Sequence, residues 1–427
     1  MGLEKNIPED WIETTLEENI SVIAMGPFGS NLKRDMFTKE GVPIIKGGNL
    51  SGMYVGGDFT FVSEEKATSL RKAVAYPNDI IITHRGTIGQ VSLVPQNKYK
   101  RYVTSQSQLR FSPDPQKLDY KYILYFLRSR VGQYELLKSS SQVGVPAIAT
   151  PTKSIKEINL FLSSLQEQKA IAKVLTAFDD KIELLQAQNK TLETMAQTIF
   201  KEWFGKYQQE STPPYGWITF SLSELVDVIN GYSYKGKELV EESNEALVSL
   251  KSFDRNGGFQ TRGFKPFKGS PKTQHEVKIG DLVVAHTDLT QDAEVLGNPA
   301  FVFDNGGFEK MYITMDLVKV ISKNENIGSS FLYYLMKDRC FKGHCVGYSN
   351  GTTVLHLSKK AIPEYELYLP ENFDLIKKFT KIANDTTNKI SLNKDAIKSL
   401  TKARDTLLPK LMSGQIRVNN LKQTADA

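Results

Sequence analysis

Two stretches of the chain carry an apolar seam far longer than a globular core requires. From Leu165 to Tyr207, the positions Ile171, Leu175, Phe178, Ile182, Leu185, Leu192, Ala196, Ile199 and Trp203 step alternately by four and three, with Asn189 in the one polar slot and no Gly or Pro before Gly205. This heptad pattern predicts a single helix of roughly 60 Å packed along a partner helix. The partner is in the same chain. From Phe373 to Leu411 the same register places Ile376, Phe379, Ala383, Thr386, Ile390, Asn393, Ile397, Leu400, Leu407 and Leu411, with Arg404 at one seam position. Asn189, Thr386 and Asn393 weaken such a seam but fix its alignment, because a buried amide is satisfied in one register only. Pro409 is expected to kink or end the second helix.

The rest of the chain repeats. Pro8 with Trp11 and Ile12 returns as Pro214 with Trp217 and Ile218. Ile80 to His84 returns as Leu282 to His286, Tyr122 to Arg130 as Phe331 to Arg339, and Ile155 to Leu162 as Ile362 to Leu369. The offset is nearly constant and extends into the helices, where Asp180-Lys181-Ile182 matches Asn388-Lys389-Ile390. A fixed long offset marks duplicated modules, each a mixed domain of about 160 residues followed by a long helix. In the first module VPIIKGG, DFTFVS, DIIITHRG, QVSLVP and QLRFSP read as strands bounded by turn residues, and Tyr120 to Leu137 as a helix. In the second, EALVSLKSF, DLVVAHT, PAFVF and YITMDLVKVI read as strands and Ser329 to Lys342 as a helix. Strands and helices out of strict alternation give an α+β class.

The expected boundaries are a first mixed domain at 1–163, a helix at 164–208, a second mixed domain at 209–370, a helix at 371–413 and a tail at 414–427, disordered beyond Val418. Residues 205–216 form the linker. The seam alone allows parallel or antiparallel helices. A linker of about ten residues reaches only roughly 35 Å, so the second domain must start near the end of the first helix. That favours an antiparallel pair with a pseudo-two-fold axis relating two similar heads.

Charge and composition narrow the function. Of 427 residues, 54 are Lys or Arg and 48 Asp or Glu, a formal charge of +6 that suits a polyanionic partner without requiring one. Two cysteines are too few for a disulfide framework, no run could span a membrane, and the amino terminus has no apolar signal core, so a cytoplasmic protein is expected. Catalytic patterns occur only as fragments. Asn298-Pro299-Ala300-Phe301 approaches an adenine-methyltransferase motif but has Ala in the third place and no upstream Gly-rich loop, so it reads as a turn entering a strand. Asp281 with Glu276 and Lys278 is poorly spaced for a nuclease, Gly26 to Ser30 lacks a P-loop Lys, and the five histidines show no metal-ligand spacing.

Recognition chemistry is better supplied. Loops and strand ends of the first module carry Asn31, Lys33, Arg34, Lys46, Asn49, His84, Arg85, Thr87, Arg101, Gln106 and Gln108. The second carries Tyr232, Tyr234, Lys235, Lys237, Lys251, Arg255, Arg262, His286, Thr287, Tyr348 and Asn350, with Asn256, Gln260 and Lys265 beside them. Cations neutralise phosphates, and Arg, Asn and Gln read base edges in the major groove. As sets at equivalent places in both modules, they point to nucleic acid.

These features resemble the specificity subunit of type I restriction-modification systems. The resemblance covers essentially the whole chain. It rests on the Pro-x-x-Trp opening, on Gly26 to Lys33 with Gly41 to Leu50, on Leu165 to Lys169, on Ala196 to Phe204 and on Leu407 to Ile416. It implies two target-recognition domains, each reading half of a bipartite site in double-stranded DNA. The helices would set the spacer and dock two methyltransferase subunits. The chain itself would be non-catalytic and hold no cofactor; S-adenosylmethionine would come with the methyltransferases, and ATP and Mg with the restriction/translocase subunits. The alternatives are an autonomous DNA methyltransferase or nuclease, and a coiled-coil adaptor that binds proteins only.

Overall fold

The computed structural model describes residues 7–141, 144–253 and 258–418. The chain is mixed α/β with two long helices, Leu165–Trp203 and Asp374–Met412, each of 39 residues. It divides into two compact units, one formed by the chain up to Leu184 and from Ile397 onward, the other by Leu185–Ala396. Among the described residues no helix is long and apolar enough to cross a membrane.

In the first unit an antiparallel sheet runs in the order Ile20–Met25, Gln108–Pro113, Ile80–Thr83, Val91–Leu93. A second sheet runs Phe37–Thr38, Thr60–Val62, Val42–Ile45, Tyr102–Thr104, Val74–Ala75, and its Val42–Ile45 and Tyr102–Thr104 strands are parallel. Ile80 and Ile82 pack into a core with the helix Tyr120–Arg128, whereas Ile81 faces Ile45, Ala75 and Tyr102 on the other side. Covered on both faces, this strand is a continuous apolar run instead of an alternating one. Each isoleucine so buried contributes about 1.5–3 kcal/mol.

The second unit repeats these strand orders, except that among the described residues its mixed sheet has four strands and no counterpart of the edge strand Phe37–Thr38. Its antiparallel sheet is Val226–Asn230, Leu317–Ser322, Leu282–Ala285, Pro299–Phe301. Its mixed sheet is Phe264–Pro266, Glu245–Val248, Lys310–Ile313, Glu276–Val277, again with the central pair parallel. Leu282 and Val284 face one core and Val283 and Ala285 another, as in the first unit. The outer strands Ile12–Thr15 with Asn159–Leu162, and Trp217–Ser221 with Glu366–Pro370, pair in the same way.

Within each unit the helical segments run antiparallel. In the first, Glu167 pairs with Arg417 and Asp179 with Arg404, so one segment rises as the other descends. In the second, Asn189 meets Asn393 and Phe200 meets Phe379. Of the seam positions, Ile171, Leu175, Ile182, Leu185, Ala196, Ile376, Phe379, Ala383, Thr386, Ile390, Asn393 and Leu411 are buried. Phe178, Asn189, Leu192, Ile199, Trp203, Ile397, Leu400 and Leu407 are half-buried. Phe200 and Phe204, off the seam, are among the most buried side chains, because they fill the second unit's core with Phe331 and Phe379.

Several expectations are corrected. The helix expected from Tyr120 to Leu137 is two, Tyr120–Arg128 and Arg130–Leu137, because Ser129 turns extended and caps the second through Gly132 N. The expected Ser329 to Lys342 helix breaks likewise at Asp338, which caps Arg339–Gly347 through Cys340 N. The run YITMDLVKVI divides into Lys310–Ile313 and Leu317–Ser322. Pro409 does not end its helix at that point, since the helix continues to Met412, and Leu411 and Met412 are anchored in the core. The linker opens with a 3-10 turn, Gly205–Gln209, whose Gln208 amide bridges the Tyr368 backbone in both directions. The tail beyond Val418 lies outside the described residues.

Candidate nucleic-acid interface

Four loops of the first unit meet at one rim because their backbones interlock. Gly26 N donates to Gln108 O over 2.8 Å, and a Cβ on Gly26 would lie 1.9 Å from Ser105 O, a distance only glycine permits. His84 N donates to Ser107 O over 3.0 Å, and His84 Nε2 lies 3.1 Å from Gln106 O. Gly47 approaches Thr87, and Gly86 N donates to Pro146 O. The segments 26–31, 46–49, 84–90 and 105–108 therefore form one surface.

The candidates divide by what they touch. Asn49 is buried: its Oδ1 accepts from Lys46 N, and its Nδ2 donates to Gly56 O and Asp58 O, each at 2.9 Å. Gln108 is buried between Ser105 and Thr83. Burial holds the His84 imidazole below its ordinary pKa, so it is neutral and braces the rim. Arg101 pairs with Glu64 at the far end of Tyr102–Thr104 from the rim. Lys46 is exposed, donating to Thr60 Oγ1 at 2.7 Å and lying 5.1 Å from the Phe37 ring centroid; Thr87 donates to Gln90. Asn31, Arg85 and Gln106 are exposed on the rim loops, and Lys33 and Arg34 are exposed just after the first of them, at the 3-10 turn Arg34–Met36; cations so placed can meet an incoming polyanion. Phe28, 76% exposed among them, had no signal beyond an apolar residue within a Gly-Pro turn.

The second unit builds its rim the same way. A Cβ on Gly231 would lie 2.0 Å from Thr314 O. Tyr232 N donates to Ile313 O, Thr314 N to Val248 O and His286 N to Asp316 O. Thr287 is buried and donates to Asp316. Asp288, buried and unremarked in the sequence, anchors the next loop: burial raises its pKa, but bonds from Thr290, Val295 and Leu296 outweigh that and hold it below the ordinary value. This loop and the turn Thr261–Gly263 frame a cleft of about 610 Å³ with Lys251, Gln260, Arg262 and Leu289 in its wall. Lys235 and Lys237 are exposed. Tyr232 donates to Glu238, Tyr234 accepts from Lys265, and Tyr348 donates to Glu364 while stacking on His344. Asn350 is exposed on Ser349–Asn350. Arg255 and Asn256 lie outside the described residues.

The catalytic fragments have structural occupations. Asn298 Oδ1 accepts from Lys342 Nζ at 2.8 Å and its amide donates to Glu294 O, at the turn into the buried strand Pro299–Phe301. Asp281 accepts from Lys278 N and lies near Lys319. Among the described residues no group of three His, Cys, Asp or Glu is set to hold a metal ion.

Residues 8–194 match the type I restriction modification DNA specificity domain. The chain is 23% identical over 442 residues to the MjaIX type I restriction enzyme specificity subunit of Methanocaldococcus jannaschii, covering 97% of this chain and 95% of that one. It is 24% identical over 444 residues to the MjaVIII specificity subunit of the same organism, with the same coverage. Its fold is similar to the crystal structure of a type I restriction-modification S subunit from M. genitalium, with a TM-score of 0.59 at 20% identity, covering 96% of this chain and 98% of that one. By its motifs and by these matches, the chain is similar along nearly its whole length to specificity subunits of type I restriction-modification systems, and residues 8–194 match their DNA specificity domain.

Proposed function

We propose that the chain is the DNA-reading subunit of a type I restriction-modification complex and is non-catalytic by itself. The domains at 1–163 and 209–370 each read one half of a bipartite duplex site. The two long helices, as an antiparallel coiled coil, set the spacer and dock two methyltransferase subunits. Those partners supply S-adenosylmethionine and the adenine N6 chemistry, and restriction/translocase subunits supply ATP, Mg and cleavage. The observation that carries this reading is the duplicated rim. In both units a glycine-tight turn is pressed on the carbonyl of a neighbouring loop, with exposed cations nearby in the chain, and the antiparallel sheet beneath has a matching strand order. Phosphate contacts from such cations position a duplex, and side chains reaching the grooves select its bases.

The test is exchange of residues 1–163 for the corresponding domain of another family member, followed by mapping the methylated sequence of the assembled complex. One half-site changes and the other half and the spacer stay. A change in both halves, or in neither, overturns the assignment.

A further inference from the structure

Phe28 has no structural task in the first unit. Its ring is 76% exposed at the tip of Gly26-Pro27-Phe28-Gly29, yet the loop beneath is held firmly. Phe28 has φ −58° and ψ 149° at the start of the 3-10 turn Gly29–Asn31. Its carbonyl accepts from Asn31 N at 2.8 Å. Pro27 fixes the torsion before it, and Gly26 is pressed on Ser105 O. A large apolar ring on a rigid support loses little conformational freedom on binding. Its surroundings are cationic and polar: exposed Lys33 and Arg34 follow it in the loop, and a Cβ on Gly29 would lie 3.0 Å from Gln106 Oε1. A lone aromatic within a phosphate-binding rim suits the face of a nucleobase.

On the reading that this rim binds duplex DNA, we infer that Phe28 is a positioning residue, a wedge that enters one base step of the first half-site and stacks on the base it unstacks. Insertion of this kind opens a step at a cost of a few kcal/mol and lets the duplex bend onto more protein. It also eases extrusion of a nearby base toward a partner's active site. Among the described residues the second unit shows no free ring at the equivalent place. After Gly231, which matches Gly26 in its pressed carbonyl, Tyr232 and Tyr234 are half-buried with their hydroxyls bonded to Glu238 and Lys265. The aromatic wedge is therefore assigned to the first half-site.

The test uses the complex assembled with its methyltransferase subunits and a duplex bearing its mapped split site, with 2-aminopurine at each non-target position in turn. Wild-type complex raises the fluorescence at one step of one half-site. Phe28→Ala abolishes that signal and weakens binding about tenfold or more, Phe28→Trp restores both, and an abasic site at the wedged step rescues Phe28→Ala. Unchanged signal and affinity in Phe28→Ala overturn the wedge. So does a Phe28→Ala chain that no longer assembles with the methyltransferase subunits, which would place the ring in a protein interface. Failure of wild-type complex to bind the duplex overturns the DNA-reading assignment itself and is seen before any variant is made.

Discussion

Asn393 Nδ2 donates to Asn189 Oδ1 across 2.8 Å, joining the polar slots of the two helical seams inside the second unit. The same nitrogen donates to Gln188 Oε1 at 2.9 Å, and Asn393 is only 2% exposed. A shift of either segment by one turn would leave this amide buried and unpaired. Asn393→Leu alone is expected to lower stability by about 1–3 kcal/mol in urea unfolding. The double change Asn189→Leu with Asn393→Leu recovers the loss, since both partners then leave together. Additive losses would show that the pair is not coupled.

Lys394 gives the second unit a pH dependence of identifiable origin. Its ammonium lies 3.7 Å from the Phe303 ring centroid, and burial pushes its pKa down to about 8, against the pull of Glu193. In the unfolded chain a lysine titrates near 10.4, so between about 8 and 10.4 the unfolded state holds more protons. Stability attributable to this group therefore rises as pH climbs through that window. Lys394→Met is expected to raise the Tm at pH 7 and to flatten the wild-type rise between pH 8 and 10. Parallel curves for the two proteins would remove Lys394 as the cause.

Rim residues are expected to separate into two kinds. Arg85→Ala or Arg34→Ala in the assembled complex weakens DNA binding across sequences and lowers the salt slope by about 0.9 for each phosphate contact removed. Thermal stability stays within about 0.5 kcal/mol, as for other exposed positions. Asn49→Ala does the reverse: it removes the buried amide that joins three backbone groups and lowers stability by about 1–3 kcal/mol. Binding and melting measured on the same preparations separate them.

The proposed role of the helices predicts a length relation. Inserting one heptad into each long helix adds about 10 Å, so the preferred spacer lengthens by roughly three base pairs. Selection of the bound site from a spacer library reads this directly, and an unchanged spacer would remove the ruler.

What was legible in the sequence follows from what was periodic or repeated. The seam from Ile171 to Trp203 and its partner from Ile376 to Leu411 declared themselves because a stripe on a long helix must recur every three or four residues. The sandwiched strands Ile80–Thr83 and Leu282–Ala285 show as continuous apolar runs because both of their faces are covered. Arg404 looked like a flaw in its seam. Its partner Asp179, which also accepts from Tyr125 Oη at 2.6 Å, could not be picked from 48 acidic residues without the fold. Phe200 and Phe204 lie off the heptad stripe, so periodicity does not mark them, although they pack on Phe379 of the partner segment as well as on Phe331 of the mixed domain. The rim candidates were named by chemistry alone. Chemistry does not separate a bracing amide such as Asn49 from a free cation such as Arg85, since that difference is set by long-range pairing of the backbone. The exposure of Phe28 leaves no trace in the sequence's periodicity.

The most direct measurement is co-expression of the chain with its methyltransferase subunit and genome-wide mapping of N6-methyladenine. A single split motif, two short half-sites around a fixed unspecific spacer, is the predicted result. A stable complex that methylates no motif, or one unbroken motif, would contradict the assignment of one half-site to each domain.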